Sequence, residues 1–262
     1  MQPRSRLSIV IPAYNEAARI RASLQTAADY LAASAPDAEI LVVDDGSADG
    51  TAALVEAFAA SRPPGVPPTV RLLKNGRNRG KGYSIKHGVL LAGGDLVLTS
   101  DADFSTPIAE LPLLLRPVET EGYGIAIGSR ALAESRVEIH QAAWREAMGR
   151  GFNRLVRSLT GLPFRDTQCG FKLMRRQDVL PLFRAARIER FAYDVEILYL
   201  ARKTGIRVAE VPVLWRNAAG SKVNPLVDPL DMLKDIVWVV LRDRLGRYGA
   251  LGRQPAAADR RT

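Results

Sequence analysis

Two short acidic motifs are the residues of this chain best suited to chemistry. Asp44-Asp45-Gly46-Ser47 follows the apolar run 40–43, and Asp101-Ala102-Asp103 follows the run 96–100. Open α/β sheets bind ligands in the crevice at the carboxyl ends of their strands, so both motifs should meet in one cleft. Two acidic pairs require a cation, and Mg²⁺ is typically held by one or two carboxylates together with substrate phosphates. The spacing therefore predicts a divalent metal ion that clamps a polyphosphate.

A third motif, Pro12-Ala13-Tyr14-Asn15-Glu16, closes the first predicted strand and opens a helix. Asn15 is a suitable N-cap residue, and Glu16 would lie in the first turn, where a negative charge is favourable. Beside Asp44 on the neighbouring strand, Tyr14 could cover a nucleobase, and Asp44 could accept hydrogen bonds from the N–H groups of uracil or guanine.

A glycine-rich loop, 78–82, follows the third predicted strand and opens the next helix. Backbone N–H groups at such a helix start, together with Lys81, suit phosphate or nucleotide binding. A plain connection between strand and helix explains the loop equally well.

These motifs must be positioned by alternating strands and helices. Strands are predicted near 7–11, 39–43, 69–73, 95–99 and 123–128, and helices near 16–33, 49–60, 81–92 and 107–116. Such alternation indicates a mostly parallel central sheet flanked by helices, with right-handed crossovers. Beyond residue 130 the predicted order is a helix at 141–160, a strand at 170–175, helices at 177–184 and 194–203, a strand at 206–214 and a helix at 229–244.

Composition limits the remaining possibilities. With 262 residues, of which 47% are hydrophobic, the chain should form a single domain over residues 1–248, followed by a disordered basic tail at 249–262. Two histidines and one cysteine, Cys169, exclude a Cys/His zinc site and an intramolecular disulfide, so a metal ion would be held by oxygen. The longest strongly apolar stretch, 236–241, is too short to cross a bilayer, and we expect no secretion signal.

The net charge of +9 is concentrated in the second half of the chain. Such a surplus attracts phosphate groups, an anionic membrane or nucleic acid. Nucleic acid is the least favoured partner, because the interleaved aromatic and basic residues of RNA-binding modules are missing. A dinucleotide-dependent oxidoreductase is disfavoured, since no G-x-G-x-x-G follows the first strand.

Two helices of the second half have basic faces. In the helix at 141–160, Arg150, Arg154 and Arg157 share one side, and the opposite side, with Met148, Phe152, Leu155 and Leu159, is predicted to be core. The helix at 229–244 combines an apolar face, Trp238 and following arginines. It is a candidate for membrane contact, with a core helix as the alternative.

The order of motifs IVIPAYNE, VVDDGSADGT, NRGKG, DADFS and IGSR resembles the nucleotide-sugar half of family 2 glycosyltransferases with the GT-A fold. The later motifs DTQCGFK (166–172) and AYDVEIL (192–198), with Trp215 and GSK (220–222), resemble dolichyl-phosphate β-glucosyltransferases. Those enzymes move glucose from UDP-glucose to a polyprenyl phosphate. The resemblance divides the domain into a nucleotide-sugar half at about 7–130 and an acceptor half at about 131–248.

The resemblance implies roles for particular residues. Asp103, and with it Asp101, would hold Mg²⁺ or Mn²⁺, and Asp101 would also contact the nucleotide or sugar. Asp194 and Glu196 would line the acceptor side. Residues implied in donor or diphosphate binding are Pro12, Tyr14, Glu16, Asp44, Asp45, Lys81, Ala102, Arg130, Gln168, Ser221 and Lys222. Polyprenyl mannosyltransferases commonly carry Gln where this chain has Ser105, which disfavours mannose and leaves the third protein ligand of the metal open.

The implied reaction is an inverting displacement by an acceptor phosphate, which needs no strong base because it is already ionised. Two alternatives stay open, a mannosyltransferase that uses GDP-mannose and a soluble transferase with a small hydroxylated acceptor. The latter would need a general base, for which Asp194 and Glu196 are candidates. For the lipid acceptor, we expect a cytoplasmic protein bound peripherally to the cytoplasmic face of an anionic membrane.

Overall fold

The computed structural model describes residues 6–35, 37–63, 65–139, 143–217, 228–249 and 251. It contains a seven-stranded sheet of order β3-β2-β1-β4-β7-β5-β8 and a two-stranded sheet of β6 and β9. The strands are β1 Leu7–Ala13, β2 Glu39–Asp44, β3 Thr69–Lys74, β4 Leu96–Thr99, β5 Ile125–Ser129, β6 Arg136–Ile139, β7 Lys172–Arg175, β8 Val208–Pro212 and β9 Leu214–Arg216.

Helices cover both faces of the large sheet. They are α1 Ile20–Ser34, α2 Thr51–Ala60, α3 Lys81–Leu91, α4 Leu111–Thr120, α5 Ala143–Thr160, α6 Arg176–Ala185, α7 Tyr193–Thr204 and α8 Asp228–Arg244. Two clusters of buried apolar residues fill the spaces between sheet and helices. This arrangement confirms the predicted α/β class with a mostly parallel central sheet.

The strand order reverses beside β1, which is parallel to β2 on one side and to β4 on the other. All three strands are buried, as expected of uninterrupted apolar runs in a parallel sheet. Their carboxyl ends therefore open one crevice at the point where the topology switches. The first half of the sheet places both acidic motifs at this edge.

The second half departs more from the predicted elements. Strand β7 is antiparallel to both β4 and β5 and lies between them. The single strand predicted at 206–214 is two strands, β8 and β9, and β9 pairs with β6, which was not predicted. Strand β6 is short and mostly exposed, so its hydrophobic pattern carries little signal.

Two helix starts also differ from prediction. Helix α1 begins at Ile20, not at residue 16, and Asn15 does not cap it. Asn15 instead adopts a left-handed conformation with φ +54°, and its side chain binds the following acidic loop. The helix predicted at 107–116 is a short 3₁₀ turn, Ile108–Glu110, followed by α4.

The predicted core face of α5 is wrong for three of its four residues. Met148, Leu155 and Leu159 are exposed, and Val156 and Thr160 are the buried ones among the side chains of this helix that the structure describes. Helix α8 packs beside α5, and Val156 shares a core cluster with Met232, Ile236 and Val239 of α8. The neighbouring helix thus selects a different side of α5 from the one that periodicity favours.

Candidate functional site

The cleft is bounded on one side by two loops that follow β1 and β2. Asn15 N–H donates to Ser47 Oγ at 2.9 Å, and Asn15 Oδ1 accepts from Ala48 N–H at 2.9 Å. Glu16 N–H donates to Thr51 Oγ1 at 2.8 Å. These bonds hold both loops in one conformation, with Tyr14 left 39% exposed at the rim.

The two aspartates of the first acidic motif have different surroundings. Asp44 is nearly buried at the end of β2, and Ser47 N–H lies 3.3 Å from its Oδ1. The carboxylate of Asp45 accepts hydrogen bonds from Arg79 N–H, Gly80 N–H and the amide of Asn75, at 2.8–2.9 Å. Asp45 therefore shapes the glycine-rich loop, and its predicted contact with the donor stays a prediction.

The glycine-rich loop presents Lys81 to the second acidic motif. Lys81 begins α3, and its Nζ lies 2.5 Å from Asp101 Oδ1. Burial opposes ionisation of both groups, but their mutual attraction outweighs it, so the pKa of Lys81 is raised and that of Asp101 is lowered. Both side chains are charged at neutral pH, and Asp101 is already occupied by a cation of the protein.

Asp103 is paired less closely with a protein cation than Asp101 is, although its side chain is the less exposed of the two, 25% against 39%. Its Oδ1 accepts from Ser105 N–H at 2.9 Å, and its Oδ2 lies 3.8 Å from Arg19. Phe104 next to it has φ +44°, an uncommon conformation for a bulky residue and one that clusters at functional sites. Asp103 is therefore held at the cleft by a strained turn.

A divalent cation fits this carboxylate set only when it is shared with a ligand. Within the described ranges, no three acidic, histidine or cysteine side chains converge as a complete metal site. Asp103 offers hard oxygen ligands, and its side chain is one quarter exposed. This agrees with an ion that takes one or two protein carboxylates and completes its coordination with phosphate oxygens.

Arg130 directly follows β5 and lies beside the cleft in a fixed orientation. Its guanidinium binds Asp166 in a bidentate pair at 2.6 and 2.9 Å, and its backbone N–H donates to the same carboxylate. Burial alone would raise the pKa of Asp166, but the charge of Arg130 lowers it to about 2. Arg130 keeps 32% of its side chain exposed, and Trp215 lies beside it at 5.5 Å. A pre-oriented cation thus faces the cleft.

The remaining predicted site residues are not equally placed. Pro12 and Ala102 lie at the ends of β1 and β4, and Gln168 lies in the loop before β7, with its amide 3.8 Å from Met232 Sδ of α8. Glu16 pairs with Arg19 beside Asp103. Ser221 and Lys222 lie outside the described residues, and their predicted roles stay predictions.

Asp194 and Glu196 are both buried in α7. Asp194 pairs with Lys172 at 2.6 Å. Glu196 accepts from the N–H groups of Arg187 and Ile188 and from the hydroxyl of Tyr248, at 2.6–2.9 Å. Glu196 thus holds the loop at 187–188 and Tyr248, near the end of the described chain, and its predicted place beside the acceptor stays a prediction.

Sequence reasoning assigned no role to Arg19, Asp166 or Lys172. Arg19 is placed three residues after Glu16, a spacing that allows the ion pair seen here. Asp166 and Lys172 lie inside a recognised motif, but the spacing alone does not reveal their ion-pair partners, 36 and 22 positions away.

Comparison with known proteins gives consistent results. The model of the family described as glycosyl transferase family 2 matches residues 8–182. A dolichyl-phosphate beta-glucosyltransferase of Dictyostelium discoideum is 38% identical over 249 residues, covering 92% of this chain and 75% of that protein. A human protein of the same description is 36% identical over 257 residues, covering 94% and 78%.

Solved structures share the fold at lower identity. Glucosyl-3-phosphoglycerate synthase from Mycobacterium tuberculosis, solved with Mn²⁺, UDP-glucose and phosphoglyceric acid, is 18% identical with a TM-score of 0.63, covering 92% of this chain and 80% of that chain. Mannosyl-3-phosphoglycerate synthase from Rubrobacter xylanophilus is 21% identical with a TM-score of 0.64, covering 97% and 78%. The expected GT-A fold is confirmed.

Proposed function

Since the chain belongs to glycosyl transferase family 2 and is a glycosyltransferase, we propose that it transfers glucose from UDP-glucose to a polyprenyl phosphate at a membrane surface. The observation that carries the proposal is the cleft at the topological switch point. There Tyr14 and Asp44, the Asp101–Lys81 pair and Asp103 converge from three different strand ends. The relatives named above supply the sugar and the acceptor class.

The donor would lie across this cleft. Tyr14 offers an exposed aromatic face for the base, and Asp44 offers a carboxylate for its N–H groups. Asp103, with Asp101 beside it, would hold the divalent cation. That ion, when bound, would neutralise the diphosphate and so make UDP a better leaving group.

The reaction would be a single displacement with inversion. An oxygen of the acceptor phosphate attacks the anomeric carbon, and the bond from that carbon to the β-phosphate oxygen of UDP breaks. The phosphate nucleophile is ionised at neutral pH and transfers no proton to the enzyme. Positive groups that are fixed before the reaction, Lys81 and Arg130, would stabilise the charge that develops on the phosphates.

The acceptor half offers a surface for the lipid. Helices α5 and α8 pack together, and each exposes four large apolar side chains: Trp144, Met148, Leu155 and Leu159 on α5, and Leu230, Val237, Trp238 and Leu241 on α8. Exposed apolar residues of this number are unusual on a soluble surface and mark interaction sites. None of the described helices is both long and apolar enough to span a membrane.

Arginines favour an anionic bilayer as the partner of this surface. Arg154 and Arg157 line a surface cleft next to the apolar residues of α5, and Arg242 and Arg244 end α8. Amphipathic helices with tryptophan and basic residues bind bilayer interfaces in this way. We therefore place the protein peripherally on the cytoplasmic face, where a polyprenyl phosphate would present its head group.

The direct test is a transfer assay with radiolabelled UDP-glucose, UDP-galactose and GDP-mannose. Each donor is offered with and without a short polyprenyl phosphate, in Mg²⁺, Mn²⁺ or EDTA. We expect label in the organic phase from UDP-glucose alone, only with lipid and only with metal. Lipid labelled from GDP-mannose would show that the donor is GDP-mannose and not UDP-glucose. A labelled water-soluble product formed without lipid would show that the acceptor is a small soluble molecule.

A further inference from the structure

A buried ion pair lies directly behind the second acidic motif. Lys172 begins β7 opposite Thr99 of β4, and Asp194 lies in the first turn of α7. Both are about 4% exposed, with Lys172 Nζ 2.6 Å from Asp194 Oδ1. A buried pair of this kind rarely repays its desolvation and is a weak source of stability. Its position calls for a different explanation.

Lys172 also fixes the backbone that supports Asp101. Its Nζ donates a second hydrogen bond to the carbonyl of Cys169, and Thr99 Oγ1 donates to the carbonyl of Gly170 at 3.0 Å. A Cβ atom at Gly170 would lie only 2.4 Å from the carboxylate of Asp101. The backbone of 169–170 thus packs directly against the carboxylate of Asp101, and the hydrogen bond from Lys172 fixes this backbone.

Helix α7 contacts the residue that follows Lys81, the other member of the Asp101 pair. Gly82, next to Lys81, packs so tightly on Tyr193 that a Cβ there would lie 2.6 Å from the tyrosine Cβ. Asp194 pairs with Lys172, and Asp101 pairs with Lys81. Four charges of alternating sign therefore run from α7 through β7 to the cleft.

We propose that the Lys172–Asp194 pair is a positioning element that fixes Asp101 and Lys81 for donor binding. Asp194 is in this view a positioning residue and not the general base considered above, because its carboxylate is buried and bound to Lys172. The inference rests on the proposed function only in taking a nucleoside diphosphate as the ligand of the cleft.

The test separates charge positioning from plain structural support. In the Lys172→Met/Asp194→Leu double variant, both charges are replaced by apolar groups, which need not destabilise a fold. Asp194→Asn is a second, isosteric variant in case the double variant does not fold. Calorimetry measures binding of UDP with Mn²⁺, thermal unfolding measures stability, and Asp194→Glu tests rescue. Glu39→Gln is the control, since Glu39 is also a buried carboxylate but lies at the start of β2, the end of the strand away from Asp44 and the cleft.

We expect the variants that fold to bind UDP with Mn²⁺ at least tenfold more weakly, with partial recovery in Asp194→Glu and wild-type affinity in Glu39→Gln. Wild-type UDP affinity in a folded variant would overturn the proposal. A fall in kcat alone, with loss of one limb of the pH profile, would overturn it in favour of a general base. Failure of the proposed function would be seen separately. In that case the wild-type enzyme would bind UDP with Mn²⁺ but would transfer no label to the lipid.

Discussion

The two halves of the cleft are built from different interactions. On the side formed by the first half of the chain, short loops after β1 and β2 bind each other through backbone N–H groups and small polar side chains, as in the pair Asn15 and Ser47. On the side formed by the second half of the chain, side chains of opposite charge pair across the fold, as in Arg130 with Asp166 and Lys172 with Asp194. The first half is therefore recognisable from local motifs, whereas the second depends on pairings between distant segments.

On the side formed by the first half of the chain, the largest effect is expected from Asp103→Ala, which tests metal binding by this carboxylate. Because this carboxylate is paired less closely with a protein cation than that of Asp101, and so is the better candidate to hold the metal ion, its loss should lower transfer on the order of 1,000-fold. Thermal unfolding should change little, since Asp103 is partly exposed. Asp37→Ala, an exposed aspartate away from the cleft, is the control. Turnover near that of wild type in Asp103→Ala would contradict the metal clamp.

On the side formed by the second half of the chain, Glu196→Gln separates a role in stability from a role in catalysis. This change places an amide donor against the N–H groups of Arg187 and Ile188, so we expect a loss of stability of about 3 kcal/mol. The value of kcat below the unfolding temperature should stay near wild type. Tyr248→Phe removes one bond to the same carboxylate and should cost about 1 kcal/mol. A fall in kcat without a change in thermal unfolding would show instead that Glu196 acts in the active site.

The Arg130–Asp166 pair should make the stability of the fold depend on pH. Since the pKa of Asp166 falls from 3.8 to about 2 on folding, ionised Asp166 stabilises the native state above about pH 4. This contribution, about 2 kcal/mol, should disappear as the pH falls from about 4 to 2. Denaturant unfolding across that range measures it. Asp166→Asn should flatten the curve there, and an unchanged curve would show that the pair contributes nothing.

The smallest expected effect concerns the exposed apolar surface. Leu241→Glu and Leu155→Glu should each weaken binding to anionic vesicles about tenfold, because each replaces apolar contact with a charge. Leu113→Glu on α4 is the matched control, with similar exposure. Equal loss in the control would contradict a specific surface. Unchanged vesicle binding accompanied by a lower oligomeric mass would instead indicate a second copy of the chain on this surface.

Local pattern was sufficient for most of the elements. The buried runs that form β1, β2 and β4 are uninterrupted, and the acidic motifs follow them directly, so both the sheet edge and its ligand cleft could be predicted. Strand β6 could not, since an exposed four-residue strand is defined by its partner β9 and not by its own composition. The core face of α5 was predicted wrongly for a similar reason, because packing against α8 decides which side of α5 is buried.

The sequence by itself determined the fold class, the family and the meeting of the two acidic motifs at one sheet edge, because strand periodicity and motifs at strand ends are local properties of the chain. Only the tertiary structure decided which charged residues are partners. It assigned Asp101 to Lys81, Asp45 to the glycine-rich loop and Glu196 to Tyr248. Side chains of the same type and spacing can face a ligand or another residue. The choice depends on burial and on neighbours distant in the chain, which a local pattern does not contain.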